Sequence, residues 1–544
     1  MVAPPVRMPR FVALLARWWP ALLGAVLLAL ALRGCTRPMA VAPAAPQWAP
    51  DSATVRVAPG PHYWRTAWWR FWWGRHYRAE WATPVTVPVL RLATAVPGGL
   101  TPRRMGGSYQ STTLRLVARD GHEFVLRSVD KDMSAALPEG WVRRLLSGLM
   151  KDQTSASLPY GAYIAAPAAE AVGVLHANPR LMYLPDDPAL GPFRARFANA
   201  LYLLEERPDR DQRGRASFGN SPDVVNSARM LTQIRRRPRA QVPPRAYLRA
   251  RLLDMWLGDW SRREDQWRWA SFPEAGRTLY RPIPRDRDQA FFLFDDGAST
   301  RLLSWCLPKF QSFHATIRPA NVDALTTTAR ALDRTLLAPL SAEDFRQEAD
   351  SLRLLLSDNV IEHALASGPE ETRGLVAARL APLLRARRAS LPAVAQRYFE
   401  ILAREAWVVG TDRAERFVVS GVGSGQVRVR LLACRPGQPD SLLSQRTYDR
   451  RDTRAINLYG LGGNDVFVLE PPLRSGITLN LYDGTGTDQV VNRARFSADI
   501  GDVTWFTRPA ARLPANGSVH TEPDPHPELS TDGAAWLRRY RLRD

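Results

Sequence analysis

Polar and apolar positions alternate along the first third of the chain, step by three and four through its middle, and alternate again near its end. TVPVLRLAT (86–94) reads as a strand, with Gly98-Gly99 and Gly106-Gly107 marking two turns after it. TTLRLVA (112–118) and HEFVLRSV (122–129) predict a hairpin about Arg119-Asp120-Gly121. Tyr160–Val174 has helical spacing, and RLMYLP (180–185) and ANALYLLEERP (198–208) read as strands. An apolar, helix-like segment, Ala246–Leu257, stops at Gly258. A loop dense in Asp, Arg, Glu and Gln follows, then two short runs, Trp267–Trp269 and Tyr280–Ile283, with Gly276 in the turn between them. From Asn321 to Trp407 the spacing predicts a helical set: 323–337, 341–356, 358–367, 371–388 and 391–409, with Ser341 and Asp344 as a capping box. From Glu415 the period returns to two, which predicts a small all-β domain. The fold class expected is α+β.

The chain has 544 residues and a net charge of +21, and only three lysines, Lys131, Lys151 and Lys309, contribute to it. The length calls for more than one domain. The arginines are spread along the chain, and the densest run, Arg235–Arg239, sits in a Pro-bearing loop. With no nucleic-acid-binding motif beside it, that distribution gives no reason to expect nucleic acid as a partner. Three arginines and no acid precede an uncharged apolar run, Trp18–Leu32, the pattern of an export signal. The run ends Leu32-Arg33-Gly34-Cys35 and resembles a bacterial lipoprotein box, which makes Cys35 the candidate lipid attachment site. An uncleaved inner-membrane anchor and a cleaved signal are the alternatives. Each sends the remainder to the cell envelope, with the membrane as a partner through the N-terminus and other envelope proteins as further partners. In residues 62–81, Trp64, Trp68 and Trp72 share helical spacing among arginines. That arm either lies at a membrane interface or packs its aromatics onto the main domain.

The candidate chemistry lies at Leu257–Phe292. Helix, polar loop, hairpin and Asp is the order in which kinase-like folds place a catalytic base and a metal-binding carboxylate. Arg127 or Lys131 would be the phosphate-contacting base at the end of a strand, Gly106 and Gly107 the covering loop, and Glu170 the acid that orients the base.

RSVDKD (127–132), LPDDPALG (184–191), LYLLEERPD (201–209), GDWSRREDQWRW (258–269) and YRPIPRDRDQAFF (280–292) together resemble a module of large bacterial surface proteins. There it lies between a calcineurin-like metallophosphoesterase domain and an outer-membrane β-barrel. The resemblance spans residues 60–495. No metallophosphatase motif and no barrel-length series of strands occurs, so phosphoesterase activity is not expected. The module is similar in outline to phosphatidylinositol-kinase-like and spore-coat-type atypical kinases. That implies a two-lobed module: an anchor segment (1–35), a linker (36–60), a Trp/Arg arm (61–84), a β-rich N-lobe (85–240) and a helical C-lobe (241–410). The all-β domain (411–507) and a Pro-rich tail (508–544) complete the chain.

The resemblance also implies ATP and Mg2+ as cofactors, with Asp286, Asp288 and Gln266 as metal-side residues. The related catalytic loop carries Asp-Arg-His, but here Ser261 and Arg263 stand at the Asp and His positions. A hydroxyl cannot replace a carboxylate base, which leaves Asp259 or Asp265 as substitutes. An exported kinase would also meet little ATP. Three readings stay open: a salt-bridge network among Arg262, Arg263, Arg285, Arg287 and the neighbouring acids, a nucleotide or phosphate pocket without transfer, and an active phosphotransferase. An envelope scaffold without catalysis is the alternative function. Asp465 and Asp488, in two Gly-Asp turns, lie 23 residues apart and off the nine-residue period of a calcium-binding roll, so calcium is not expected.

Overall fold

A computed structural model describes residue 49 and residues 51–106, 112–131, 134, 140–237, 239–306, 312–493, 502–507 and 519–525. Cys35 and Gly107 lie outside the described residues.

The described residues mix helices with five sheets. β1 (Thr54–Val57) and β2 (Val85–Pro88) pair antiparallel and bracket two helices, α1 (Ala67–Trp73) and α2 (Arg78–Ala82). These helices carry most of the Trp/Arg arm, and part of the arm packs its aromatics onto the main domain. Trp69, Trp73 and Trp81 are buried, whereas Trp64 and Trp68 are exposed. The fully buried Asp152 is the anchor: it receives hydrogen bonds from Arg78 (2.7 Å), Trp69 Nε1 (2.8 Å) and Arg65 (2.8 Å).

The first large sheet contains β3 (Leu100–Gly106), β4 (Thr113–Ala118), β5 (Glu123–Ser128), β6 (Arg180–Leu184) and β7 (Ala200–Glu206), in the order β3-β4-β5-β7-β6 and antiparallel throughout. Its strands alternate as their sequences do. Tyr202 and Leu204 join Leu114, Leu116 and Leu126 on one face, while Leu201 and Leu203 face the central core. Between β5 and β6 the chain forms α3 (Trp141–Asp152) and α4 (Gly161–Ala171). Alanines line α4 and bring it close to the sheet, where Ile164, Ala165 and Ala168 join that same core. α5 (Arg194–Phe197) precedes β7.

Next come β8 (Asp223–Asn226), α6 (Ser227–Arg236), β9 (Ala240–Gln241), α7 (Pro244–Leu257) and the hairpin β10 (Trp267–Glu274) and β11 (Arg277–Pro284). Their sheet runs β8-β10-β11-β9. α7 is buried from Tyr247 to Leu257 apart from Arg249. It ends because Gly258 takes a left-handed φ of 70°, and the Gly258 and Asp259 N–H groups return to Met255 and Asp254 carbonyls. Trp267 and Trp269 are fully buried against Tyr247, with ring centroids 5.1 and 5.8 Å away. Truncating a buried Trp of this kind costs about 3–5 kcal/mol.

The remaining helices are α8 (Ala298–Cys306), α9 (Pro319–Thr326), α10 (Arg330–Leu337), α11 (Ala342–Leu355), α12 (Asp358–Ala366) and α13 (Glu370–Ala403). The capping box at Ser341 and Asp344 is present. The sequence reads two helices where α13 is one, running through Pro382 and Pro392. Glu405–Val409, read with the helices, is a strand, because parallel pairing with Ala455–Tyr459 outweighs its helical spacing.

That strand, β12, opens a stack of parallel coils. β12, β16 (Ala455–Tyr459), β18 (Thr478–Tyr482), β20 (Val503–Thr507) and β21 (His520–Pro523) form one parallel sheet. β13 (Glu415–Gly423), β17 (Val466–Glu470) and β19 (Gln489–Asn492) form the parallel part of the other. β14 (Gln426–Arg435) and β15 (Gln438–Asp449) extend it as an antiparallel hairpin. The offset of 23 residues between Asp465 and Asp488 is the length of one coil. It recurs as an Asn ladder, with Asn480 donating to Asn457 at 2.7 Å, and as stacked Tyr459, Tyr482 and Phe506 rings at 4.6 and 4.7 Å. β21 comes from the segment read as a tail; at four residues it is too short and polar to show a period.

Candidate functional site

The end of β5, the loop after α7 and the turn after β11 meet at one place. Arg127 Nη1 lies 2.8 Å from Asp286 Oδ1, and Arg127 Nε 3.2 Å from Glu205 on β7. Beside them Lys131 pairs with Asp288. The strand-end cations and the two post-hairpin carboxylates predicted from the sequence therefore converge, each cation on one acid. Burial works against the charge on Arg127, yet Asp286 and Glu205 raise its pKa above the ordinary value. Burial likewise penalises ionised Asp286, but Arg127, then Arg285 and Lys131, hold its carboxyl below the usual range. Asp286 occupies a left-handed backbone conformation, φ 61°, which Asp tolerates better than most residues.

Glu170 does not enter this cluster. It is exposed on α4 and lies near His176, and Glu205 supplies the acid beside Arg127 instead. The reason is directional: β5 and β7 are hydrogen-bonded neighbours, with Arg127 opposite Leu203 and Val125 opposite Glu205, so the arginine reaches the acid across the strand pair. Gly106 ends β3, with Thr113 Oγ1 3.0 Å from where a Cβ would stand.

Both candidate bases already have an arginine beside them. Asp265 is exposed and bound to Arg263 at 2.9 Å. Asp259 is fully buried, pairs with Arg262 and accepts the Ser261 N–H at 3.1 Å. Burial pushes the Asp259 carboxyl up to about 7 against the pull of Arg262, with Asp254 and Asp288 adding to the rise. That value would suit a general base, but a side chain with no exposed surface has no access to a substrate. Gln266 serves the hairpin through its backbone, its carbonyl accepting from Arg285 N at 2.9 Å. Among the described residues no group of three His, Cys, Asp or Glu is arranged to hold a metal ion. Asp286 and Asp288 are each turned to a cation instead, so the donor set does not fit Mg2+ as placed.

The predicted network among the loop arginines and acids is present in part. Arg262 with Asp259 and Arg263 with Asp265 pair as read. Arg287 instead reaches Asp254, 3.4 Å away. Arg285 has Arg127 and Arg268 for neighbours, and burial together with those like charges brings it down to about 9. The sequence reading missed Asp254. This buried α7 carboxylate lies 3.0 Å from Arg262, 3.4 Å from Arg251 and 3.4 Å from Arg287. Arg251 continues to Asp333 at 3.0 Å, which also accepts from Tyr247 at 2.7 Å. The available signal was Arg251 and Asp254, three residues apart in the otherwise apolar stretch Ala250–Leu257, where neither can stay buried without a partner.

The cavity at Arg127, Glu205 and Asp286 measures about 30 Å3, room for ordered water. Small-molecule pockets start at about 300 Å3. A larger cavity, about 970 Å3, lies elsewhere, where α6 and α10 meet the coils, lined by residues such as Arg235, Leu336, Trp407 and Arg446.

No family model matches the sequence, and no curated protein matches it. Among solved structures, the chain is similar to the Helicobacter pylori proinflammatory kinase CtkA at 11% identity and a TM-score of 0.29, covering 56% of this chain and 96% of that one. It is also similar to the Rio2 kinase of Chaetomium thermophilum, solved as an ADP/Mg2+–phosphoaspartate complex, at 16% identity and a TM-score of 0.19, covering 49% and 72%.

Proposed function

We propose that the chain is an exported envelope protein built on a degenerate, two-lobed kinase-like module that does not transfer phosphate. The β-rich lobe is residues 85–240 and the helical lobe residues 241–410. The apolar run Trp18–Leu32 behind three arginines supports export, and Cys35 is the site of lipid attachment. One observation carries the inactive reading: every carboxylate that transfer would need already has a protein cation. Asp286 has Arg127, Asp288 has Lys131, Asp259 has Arg262 and Asp265 has Arg263. Ser261 at the base position adds no carboxylate. The module then acts as a scaffold in which ion pairs join the two lobes.

A second reading, phosphate or nucleotide binding without transfer, is favoured by the position of Arg127 and Lys131. Both cations reach the same cleft and could exchange carboxylate for phosphate oxygens. Titration of the full chain with ATP and magnesium, followed by calorimetry and by phosphate release, separates the readings. The scaffold reading expects neither heat nor release. Heat without release selects the binding module. Release that disappears in Asp286→Ala overturns both.

A further inference from the structure

Three helices carry large apolar side chains that are exposed among the described residues. α1 is fixed on one side to α3, since Leu149 packs on Trp69 and Trp73 and Asp152 holds Trp69 and Arg65. On the other side it meets the start of α8. His76 N donates to Asp296 at 2.7 Å, and a Cβ at Gly297 would lie 2.3 Å from Gly74 N. The inward faces of α1 are thus occupied by structure. Its outward face shows Trp64, Trp68 at 53% exposure and Phe71 at 59%, and α8 adds Leu302, Leu303 and Trp305 at 80%. Trp141 is 76% exposed at the far end of α3. Soluble surfaces scatter such residues singly, and a contiguous group marks an interaction site.

The charges on these helices have one sign. α1 contributes Arg70, α3 contributes Arg143, Arg144 and Lys151, and α8 contributes Arg301. The one acid within the three helices is Asp152, which is buried and bound to arginines. Arg70 lies over the Trp64 ring, 5.2 Å from its centroid, so cation and indole form one amphipathic surface.

We propose that the α1/α8 face, extended by α3, docks on an anionic lipid surface. Exposed indoles favour the headgroup level of a bilayer, and arginines and lysines favour its phosphates. Helices with exposed apolar rings, five cations and a single acid that is itself buried complement such a surface. The apolar run Trp18–Leu32 is separated from α1 by residues 33–66 alone, which brings the same face near any membrane that holds that run. This inference does not depend on the kinase-like reading of the cleft.

Hydrogen exchange of the full chain on vesicles tests it. Because residues 1–48 are present in every arm, any anchoring they give is common to all. Vesicles of phosphatidylethanolamine with phosphatidylglycerol should slow exchange in peptides covering α1 and α8 by about tenfold relative to phosphatidylcholine vesicles. The protection should fall as salt is raised. It should be lost in the triple variant Arg70→Glu, Arg144→Glu, Arg301→Glu, and in Trp68→Ser with Phe71→Ser and Trp305→Ser, with an unchanged melting temperature in both. Equal exchange on the two vesicle types overturns the proposal. So does protection that appears without lipid and grows with protein concentration, which would assign the face to a second copy of the chain. The salt arm uses the unaltered protein and decides the question even if a variant fails to fold.

Discussion

Buried carboxylates do opposite things in the cleft and in the coils. In the cleft, Asp286 is held below the usual carboxylate range because Arg127 lies 2.8 Å away and Arg285 and Lys131 are near. In the coils, Asp465 accepts one backbone N–H, from Glu415 at 2.8 Å, and its neighbours are the carboxylates of Asp488 and Glu415. Burial, reinforced by those two acids, pushes Asp465 up to about 9. Both sites bury an Asp. For these two the cations make the difference, because a low-dielectric surrounding penalises an isolated charge far more than a paired one. One cation is not always enough: Asp259, paired with Arg262, is still pushed up by burial. The difference follows from architecture. The cleft joins separate segments that can bring an Arg to each Asp, whereas a coil stacks like on like and sets each acid against its counterpart.

The largest effect that would break this comparison is expected at Asp254. Asp254→Ala removes the shared partner of Arg251, Arg262 and Arg287, and should destabilise the chain by about 3–5 kcal/mol in denaturant unfolding. A loss under about 1 kcal/mol would mean that the three arginines find other partners.

A smaller effect, of opposite sign in the two regions, is expected from pH. Asp286 has a depressed folded pKa, so its contribution is present above the unfolded value of 3.8 and is lost as pH falls through the folded one. Asp465 has a raised folded pKa, so the folded state binds the extra proton between 3.8 and about 9, and stability falls as pH rises through that window. Asp465→Asn keeps the acceptor for Glu415 N and should flatten the decline between neutral pH and about 9 in thermal melts. An unchanged slope would show that Asp465 ionises freely.

The smallest effects sharpen the assignment of roles. Glu170→Gln and Asp265→Asn, both at exposed positions, should each change stability by less than about 1 kcal/mol. A large loss at Glu170 would return it to the cleft.

Much of this site was legible in the sequence, and the reason is local. The stop at Gly258, the turn at Gly276 and the two pairs within Asp259–Asp265 are set by neighbours a few residues apart. Arg127 at a strand end and Asp286 after a hairpin were readable from period and turn alone. The second acid on Arg127 was not. Choosing Glu205 over Glu170 requires knowing that β5 pairs with β7, a contact between residues 78 positions apart. Asp254 was hidden for another reason: on a helix buried along most of its length, one acid looks like an accident until the arginines from the following loop and turn arrive. The 23-residue offset of Asp465 and Asp488 was visible, and its meaning is that the Asp488 carboxylate accepts the Asp465 N–H of the preceding coil.

A double-mutant cycle at Arg127 and Asp286, using Arg127→Met and Asp286→Leu with and without saturating ATP and magnesium, tests most directly whether the cleft is held by its own ion pairs. The account predicts a coupling energy of about 1–3 kcal/mol that the nucleotide leaves unchanged. A coupling that vanishes when ATP and magnesium are added would contradict it, because the two residues would then have exchanged each other for ligand.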